Sequence, residues 1–261
     1  MDAGRSTATL TRYAGDVRQR LRALGARLSR VERWALASTA LAAGALFGFV
    51  KLAGEVLEGD TRSFDEWLLL ALRTPTDLSD PIGPRWFEEL MRDFTALGGT
   101  GVLTLITLVV VGFLVITRKR HAAVAVALAV IVGTALSHAL KWGFDRPRPD
   151  LVPHGTDVYT QSFPSGHAML SAVVYLTLGA MLARVQPERR VKVYLFAVGL
   201  MLTLIVGASR VYLGVHWPTD VLAGWSLGAA WALGCQMAML WLQRRGGVEP
   251  ASPRAAGSPG P

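Results

Sequence analysis

Six apolar runs, none containing Asp, Glu, Lys or Arg, divide this chain: Trp34–Val50, Leu97–Ile116, Ala122–Leu140, Ala168–Leu182, Val193–Ala208 and Val221–Leu242. A helix needs about 20 mostly apolar residues to cross the hydrocarbon core of a bilayer. Inside that core every backbone N–H and C=O must find a partner within the protein, so charge-free runs of this length predict transmembrane helices. The fourth run is the shortest, and it lengthens if Ser165 and Gly166 form its first turn. Composition agrees: Asp, Glu, Lys and Arg make up 18% of the chain, against about 25% in a typical soluble domain. The reading is an all-α integral membrane protein built as a six-transmembrane-helix bundle. Two further stretches, Phe64–Arg73 and Trp86–Phe94, are predicted as short helices lying along the outer interface.

The runs also set the organisation. Residues 1–33 form a basic arm, 34–242 the membrane domain, and 243–261 a tail whose Gly, Pro, Ala and Ser content predicts disorder. The first run follows a long polar arm and exceeds the apolar stretch of a signal peptide, so it reads as an uncleaved anchor. In the arm, Val17, Leu21, Leu24, Leu28 and Val31 share one helical face, while Arg18, Arg22, Arg27, Arg30 and Arg33 lie largely elsewhere. Two readings stay open for it: an amphipathic helix on anionic headgroups, or a solvated cytoplasmic tail.

The net charge is +8, and its distribution carries more information than its size. Bases gather in the arm, at Arg118–His121, between Arg184 and Lys192, and at Arg244–Arg245, whereas the stretch between the first two runs is acidic, from Glu55 to Asp93. Cytoplasmic loops of membrane proteins are enriched in Lys and Arg. Both termini are therefore expected in the cytoplasm, and no nucleic acid partner is expected. Cys235 is the single cysteine, which excludes an internal disulfide and a cysteine-rich zinc site.

Three polar clusters interrupt the apolar background. Lys141 to Pro149 reads K-x6-R-P, Pro164 to His167 reads P-S-G-H, and Ser209 to Asp220 reads S-R-x5-H-x3-D. The first follows run three, the second precedes run four, and the third joins runs five and six, so span parity puts all three on the outer side. Together they collect Lys141, Arg148 and Arg210 with His167, His216 and Asp220. Cations at a membrane surface, with Arg able to bond bidentately, suit a phosphate. If Pro218 and Thr219 open the last span, Asp220 can turn back to accept the Nδ1 hydrogen of His216 and leave Nε2 free as a nucleophile. His167 can protonate a leaving oxygen. The backbone N–H of Gly166 can approach an oxyanion, Ser165 can add a hydroxyl donor, and the start of a helix favours negative charge.

These clusters resemble the motifs of the type 2 phosphatidic acid phosphatase superfamily, which also contains vanadium haloperoxidases and glucose-6-phosphatase. The resemblance spans roughly Phe64 to Leu242, and the defining residues of all three motifs match. It implies that His216 becomes a phosphohistidine, that Asp220 orients it and that His167 is the acid. It implies that Lys141, Arg148, Ser165, Gly166 and Arg210 hold the phosphate, with no metal and no cofactor. The implied partner is a phosphorylated membrane lipid in the bilayer, met at the outer, periplasmic face of the cytoplasmic membrane. Undecaprenyl diphosphate is the favoured substrate, with phosphatidylglycerol phosphate or phosphatidic acid as alternatives. The rival of another class is a non-catalytic lipid phosphate transporter, which loss of His216 or Asp220 would mark.

Other residues carry plainer readings. Arg146 either contacts a second phosphate or pairs with Asp145. His138 reads as a hydrogen-bonded helix contact, His154 as a solvent-exposed loop residue, and Cys235 as packing in the last span. Trp34, Trp142, Trp217 and Trp241 fall near run ends and read as interfacial anchors.

Overall fold

The structure, a computed structural model, describes residues 30–245 apart from 157 and 159. The basic arm before residue 30, with both of its readings, and the tail after residue 245 lie outside the described residues. The chain divides into two compact units, 1–40 and 41–261. Of the first, only the opening of helix α1 is described, and every contact below lies within the second.

The elements in order are α1 (Arg30–Glu58), α2 (Arg62–Leu70), a hairpin of β1 (Arg73–Thr74) and β2 (Asp77–Pro81), α3 (Arg85–Ala96), α4 (Thr100–Ile116), α5 (Arg120–Phe144), α6 (Gly166–Ser171), a π-helical turn (Ala172–Leu176), α7 (Thr177–Val185), α8 (Arg189–Tyr212) and α9 (Pro218–Arg244). Five stretches, Arg33–Glu58, Arg120–Phe144, Gly166–Ala183, Arg189–Tyr212 and Pro218–Leu242, are each long and apolar enough to cross a membrane. A sixth crossing arises if α3 and α4, bent by 48° at their junction, are taken as one span. The chain is a multi-pass helical membrane protein.

Two sequence expectations change in detail. The second run was expected to be helical from Leu97, but α4 begins at Thr100 and has 17 residues. At about 1.5 Å per residue it reaches roughly 25 Å, short of the ~30 Å hydrocarbon core. Gly98 and Gly99 break the path, and α3 supplies the missing length. The outer helix expected over Phe64–Arg73 ends at Leu70, and Arg73 enters a strand paired antiparallel with β2. Pro75 follows directly, and a proline disfavours helical backbone in the residue before it.

Lipid supplies no hydrophobic drive between helices, so close backbone approach through small residues does the packing. Gly224 and Gly228 of α9 are one turn apart. A Cβ at either would lie 2.7 Å from Ser165 O or 2.5 Å from Met169 O of α6. Gly199 of α8 faces Tyr175 O in the same way, at 2.6 Å. The ring of Trp225 fills the space over Gly207 and donates its Nε1 hydrogen to Thr203 O at 3.0 Å. By contrast Leu105, Leu108, Val109 and Phe113 of α4 are exposed, as a lipid-facing surface requires. Phe163 is fully buried between Phe49 of α1 and Phe144 of α5, and it anchors the loop that leads into α6.

Candidate active site

Local sequence sets each site element. Pro147 and Pro149 cannot continue a helix, and α5 stops at Phe144 with Asp145 in left-handed backbone at φ 44°. Lys141 thus stands in the last turn of α5, and Arg148 in the loop beyond. Ser165 is the N-cap of α6, its hydroxyl accepting Ala168 N–H at 3.5 Å, and its own N–H donates to the backbone carbonyl of Asp220 at 3.0 Å. Pro218 opens α9, a position where a missing N–H costs nothing. The turn from α8 into α9 needs Gly214, at φ +72°, where a Cβ would meet Val152 Cγ2 at 2.7 Å and Arg73 Nη2 at 2.8 Å. Arg73 is buried and donates from Nη1 to Tyr212 O at 3.0 Å, closing the end of α8.

His216 sits in that turn, almost fully buried. Its Nδ1 lies 3.4 Å from Asp220 Oδ2 and 3.4 Å from Ser162 Oγ. Asp220 Oδ2 also accepts the Trp217 N–H at 2.9 Å and the Ser162 hydroxyl. On the other side of the ring, Arg148 Nη1 stands 3.2 Å from Nε2. A guanidinium only donates, so Nε2 presents its lone pair and the ring hydrogen sits on Nδ1, toward Asp220. Burial, followed by the charges of Arg210, Arg148, Lys141 and His167, holds the His216 imidazole well below the ordinary histidine range. Burial also lowers Arg148, with Asp220 acting in the opposite sense, and a guanidinium so placed stays cationic.

The remaining cations are held by backbone and hydroxyl groups. Lys141 Nζ donates to Gln161 O at 2.6 Å, and Arg148 donates to Thr160 O at 2.7 Å and Val215 O at 2.6 Å. Arg210 Nη1 donates to Thr95 Oγ1 at 3.0 Å, while its Nε is buried with no partner. The ring of His167 rests against the α3–α4 junction. A Cβ on Gly98 would come within 3.3 Å of it, and one on Gly99 would lie 4.0 Å from its Nε2. Gly166 is next to Ser137 and Lys141, where a Cβ would find ordinary contacts of 3.4 and 3.5 Å. A cavity of about 440 Å³ opens beside Arg148, lined in part by Pro147, Thr160 and Gln161. The three motifs thus come together in space, with two neutral-capable imidazoles among three cations.

Several residues depart from their sequence readings. Arg146 lines the cavity beside Arg148, and its ionic partners are not Asp145 but two distant carboxylates. Its Nη1 bonds Asp220 Oδ1 at 2.6 Å and Thr219 Oγ1 at 2.9 Å, and its Nη2 bonds Asp65 Oδ2 at 2.7 Å. Trp217 is buried rather than interfacial, donating from Nε1 to Pro147 O at 3.0 Å with Arg146 over its ring. Trp34, Trp142 and Trp241 are exposed, as anchors would be. His138 and His154 are exposed, and His154 Nε2 bonds Pro149 O at 2.8 Å. Asp65, Ser162, Thr95 and Arg73 were not singled out from the sequence. For Asp65 a signal existed: it shares the buried face of α2 with Leu69 four residues on, and an acid on a buried face needs a cation. Among the described residues no group of three or more His, Cys, Asp or Glu is placed to hold a metal ion.

Known proteins resemble this chain in sequence and in fold. Residues 120–245 match the PAP2 superfamily. Phosphatidylglycerophosphatase B of Bacillus subtilis is 35% identical over 148 residues, covering 55% of this chain and 70% of that protein. Undecaprenyl-diphosphatase of Sulfolobus acidocaldarius is 31% identical over 124 residues, 44% of this chain and 54% of that one. In structure, the transmembrane PAP2-type phosphatidylglycerolphosphate phosphatase of B. subtilis superposes with a TM-score of 0.68 at 28% identity, covering 78% of this chain and 98% of that one. A membrane-embedded helical frame, three clustered motifs and relatives that are lipid phosphatases converge on one assignment: this chain is a phosphatase and belongs to the PAP2 superfamily.

Proposed function

We propose that the chain removes the terminal phosphate of a membrane lipid through a phosphohistidine on His216. The observation that carries the reading is the pair of contacts on that imidazole, Arg148 on Nε2 and Asp220 on Nδ1. They leave a lone pair where the nucleophile needs it and a hydrogen where the carboxylate can stabilise the charged ring. Nε2 attacks phosphorus, and the bond from phosphorus to the lipid oxygen breaks. His167 delivers a proton to that oxygen. Water then attacks the phosphohistidine, His167 takes the proton back, and inorganic phosphate leaves. Lys141, Arg148 and Arg210 carry the charge of the five-coordinate phosphorus, and the N–H of Gly166 at the start of α6 adds a donor. In this reading a phosphate oxygen replaces the imidazole as the acceptor of Arg148.

The lipid tail stays in the bilayer while the headgroup enters the cavity beside Arg148. Phosphatidylglycerol phosphate is the first substrate, supported by the 35% identity to a phosphatidylglycerophosphatase and by the structural likeness. Undecaprenyl diphosphate, favoured on the sequence, is the second reading and is supported by the archaeal relative. The Lys and Arg distribution supports a site on the outer side of the cytoplasmic membrane, with the arm 1–33 and the tail 243–261 inside.

The test is phosphate release by the purified chain from phosphatidylglycerol phosphate, undecaprenyl diphosphate, phosphatidic acid and glucose 6-phosphate, with acid quenching to trap phosphoenzyme. Release from glucose 6-phosphate and from none of the lipids would overturn the lipid assignment. Normal turnover by His216→Ala would overturn the nucleophile. Sidedness is read with Cys235→Ala carrying a single cysteine at His154 or at His121: an impermeant thiol reagent on intact cells is expected to label position 154 alone.

A further inference from the structure

Resting on the proposed role of His216, the geometry points to Asp65 as a positioning residue for the reaction: from the outer helix α2, through Arg146, it preserves the negative charge that Asp220 directs at His216. Asp65 lies outside residues 120–245, which match the superfamily, and none of its surface is exposed. A continuous line of contacts runs from Asp65 Oδ2 to Arg146 at 2.7 Å, from Arg146 to Asp220 Oδ1 at 2.6 Å, and from Asp220 Oδ2 to His216 at 3.4 Å.

Charge counting gives the reason. With Arg146 as its sole ionic partner, Asp220 would form a neutral pair and offer His216 little field. Asp65 occupies the other edge of the same guanidinium, so two carboxylates share one cation and the trio keeps one net negative charge. The bonds from Trp217 N–H and Ser162 fix Oδ2, the oxygen that faces the imidazole. His216 gains positive character only as Nε2 bonds to phosphorus, so the field of the trio acts on the transition state more than on the bound lipid. An interaction of that kind appears in kcat rather than in KM.

Asp65 also has a structural task, and the test must separate the two. Its Oδ1 accepts the Thr219 N–H at 2.9 Å and its Oδ2 accepts the Thr219 hydroxyl at 2.7 Å, which tethers α2 to the first turn of α9. Asn keeps an acceptor for the Thr219 N–H, and its NH2 in place of Oδ2 removes the charge together with the acceptor that Arg146 and the Thr219 hydroxyl use. The experiment therefore compares the full chain with Asp65→Asn, on phosphatidylglycerol phosphate and undecaprenyl diphosphate in mixed micelles. Expected are a kcat lowered about tenfold or more, a KM within about twofold on either lipid, and an equal fall in the rate of phosphoenzyme formation.

Asp65→Ser, which removes the charge while leaving a hydroxyl for the Thr219 N–H, should show the same split and decides the matter if Asp65→Asn is not recovered folded; Arg146→Lys keeps one cation between the two carboxylates and should stay within a few-fold of wild-type kcat. Asp65→Asn combined with Arg146→Lys should lose no more than the worse single variant, because both act on one line. Wild-type kcat in Asp65→Asn, a loss confined to thermal stability or to KM, or additive losses would each overturn the proposal. Absence of any phosphohistidine in the wild-type chain would instead overturn the role of His216, and the kcat ratio of Asp65→Asn would still read whether Asp65 acts on the chemistry.

Discussion

The two halves of the site are built to different standards. Around the proposed nucleophile, His216 is gripped at both ring nitrogens, and Asp220 is bonded through both oxygens to three partners besides the ring, Arg146, Ser162 and Trp217. Around the proposed acid, His167 leans on two glycines, and Arg210 makes one bond to Thr95 while its Nε stays buried without a partner. A buried donor left unbonded costs about 1–3 kcal/mol, a cost that a phosphate oxygen would offset on arrival. The difference teaches where rigidity is needed. In the proposed mechanism, the atom that would form a covalent bond is held by charge and hydrogen bonds, whereas the groups that would meet a variable lipid oxygen are held by packing and keep donors free.

The largest effect that would test this contrast comes from the gripped half. His216→Ala should abolish phosphoenzyme, and Asp220→Asn should lower kcat by about 10³–10⁴, comparable to loss of the orienting carboxylate in a catalytic triad. An Asp220→Asn chain within a few-fold of wild type would show that the tight bonding around Oδ2 serves folding alone. Next in size is Gly98→Ala. The new methyl would stand 2.3 Å from Val206 Cγ1 and 3.3 Å from the His167 ring, so the ring or the junction must shift. Expected is a kcat loss of about tenfold on lipid substrates, within the reach of a displaced general acid, and a much smaller loss on an aryl phosphate, whose leaving group needs no proton. Equal losses on both would put the defect in phosphate binding instead.

Smaller still is Thr95→Val, which frees one guanidinium nitrogen of Arg210. A single such bond is worth about 0.5–1.5 kcal/mol; the expectation is a few-fold rise in KM with kcat preserved, measured by phosphate release. The smallest effect is on stability against pH. His216 is held below its ordinary value of 6.5 when folded and returns to it when unfolded. Below that pH the unfolded chain binds a proton that the folded chain refuses, so stability falls as pH drops from about 6.5. His216→Ala should flatten this slope in thermal unfolding scans in detergent. An unchanged slope would assign it to other groups.

Legibility from sequence followed the range of the interactions. The spans were readable because a charge-free run declares itself within twenty residues, and the motif residues because their spacings are local. The α3–α4 break was hidden, since Leu97, Gly98 and Gly99 carry no charge to interrupt an apolar run, although two adjacent glycines at its start were the available hint. Arg146 was judged against its neighbour Asp145, whose left-handed backbone ends α5, while its partners lie 81 and 74 residues away in sequence. Trp217 stands at a run end, where a tryptophan fits the interfacial rule, yet its bond to Pro147 O and the Arg146 guanidinium over its ring hold it in the core. No local pattern announces that Thr95 will bond Arg210 across 115 residues.

One span counts its residues differently from the others. Between Gly166 and Val185 the π-helical turn Ala172–Leu176 inserts backbone that a regular helix would not contain. Before it, α6 lies on Gly224 and Gly228 of α9; after it, α7 lies on α8, where Gly179 meets Leu195 O at a would-be Cβ distance of 3.2 Å. Each residue of an α-helix advances the side-chain direction by about 100°. A residue deleted from α6 would swing every later side chain by that angle and take Gly179 off Leu195, whereas one deleted within the π-turn restores a regular pitch and leaves the flanking faces in register. In this span the place of a length change therefore decides its cost: a deletion within Ala172–Leu176 is absorbed, and one in α6 is not.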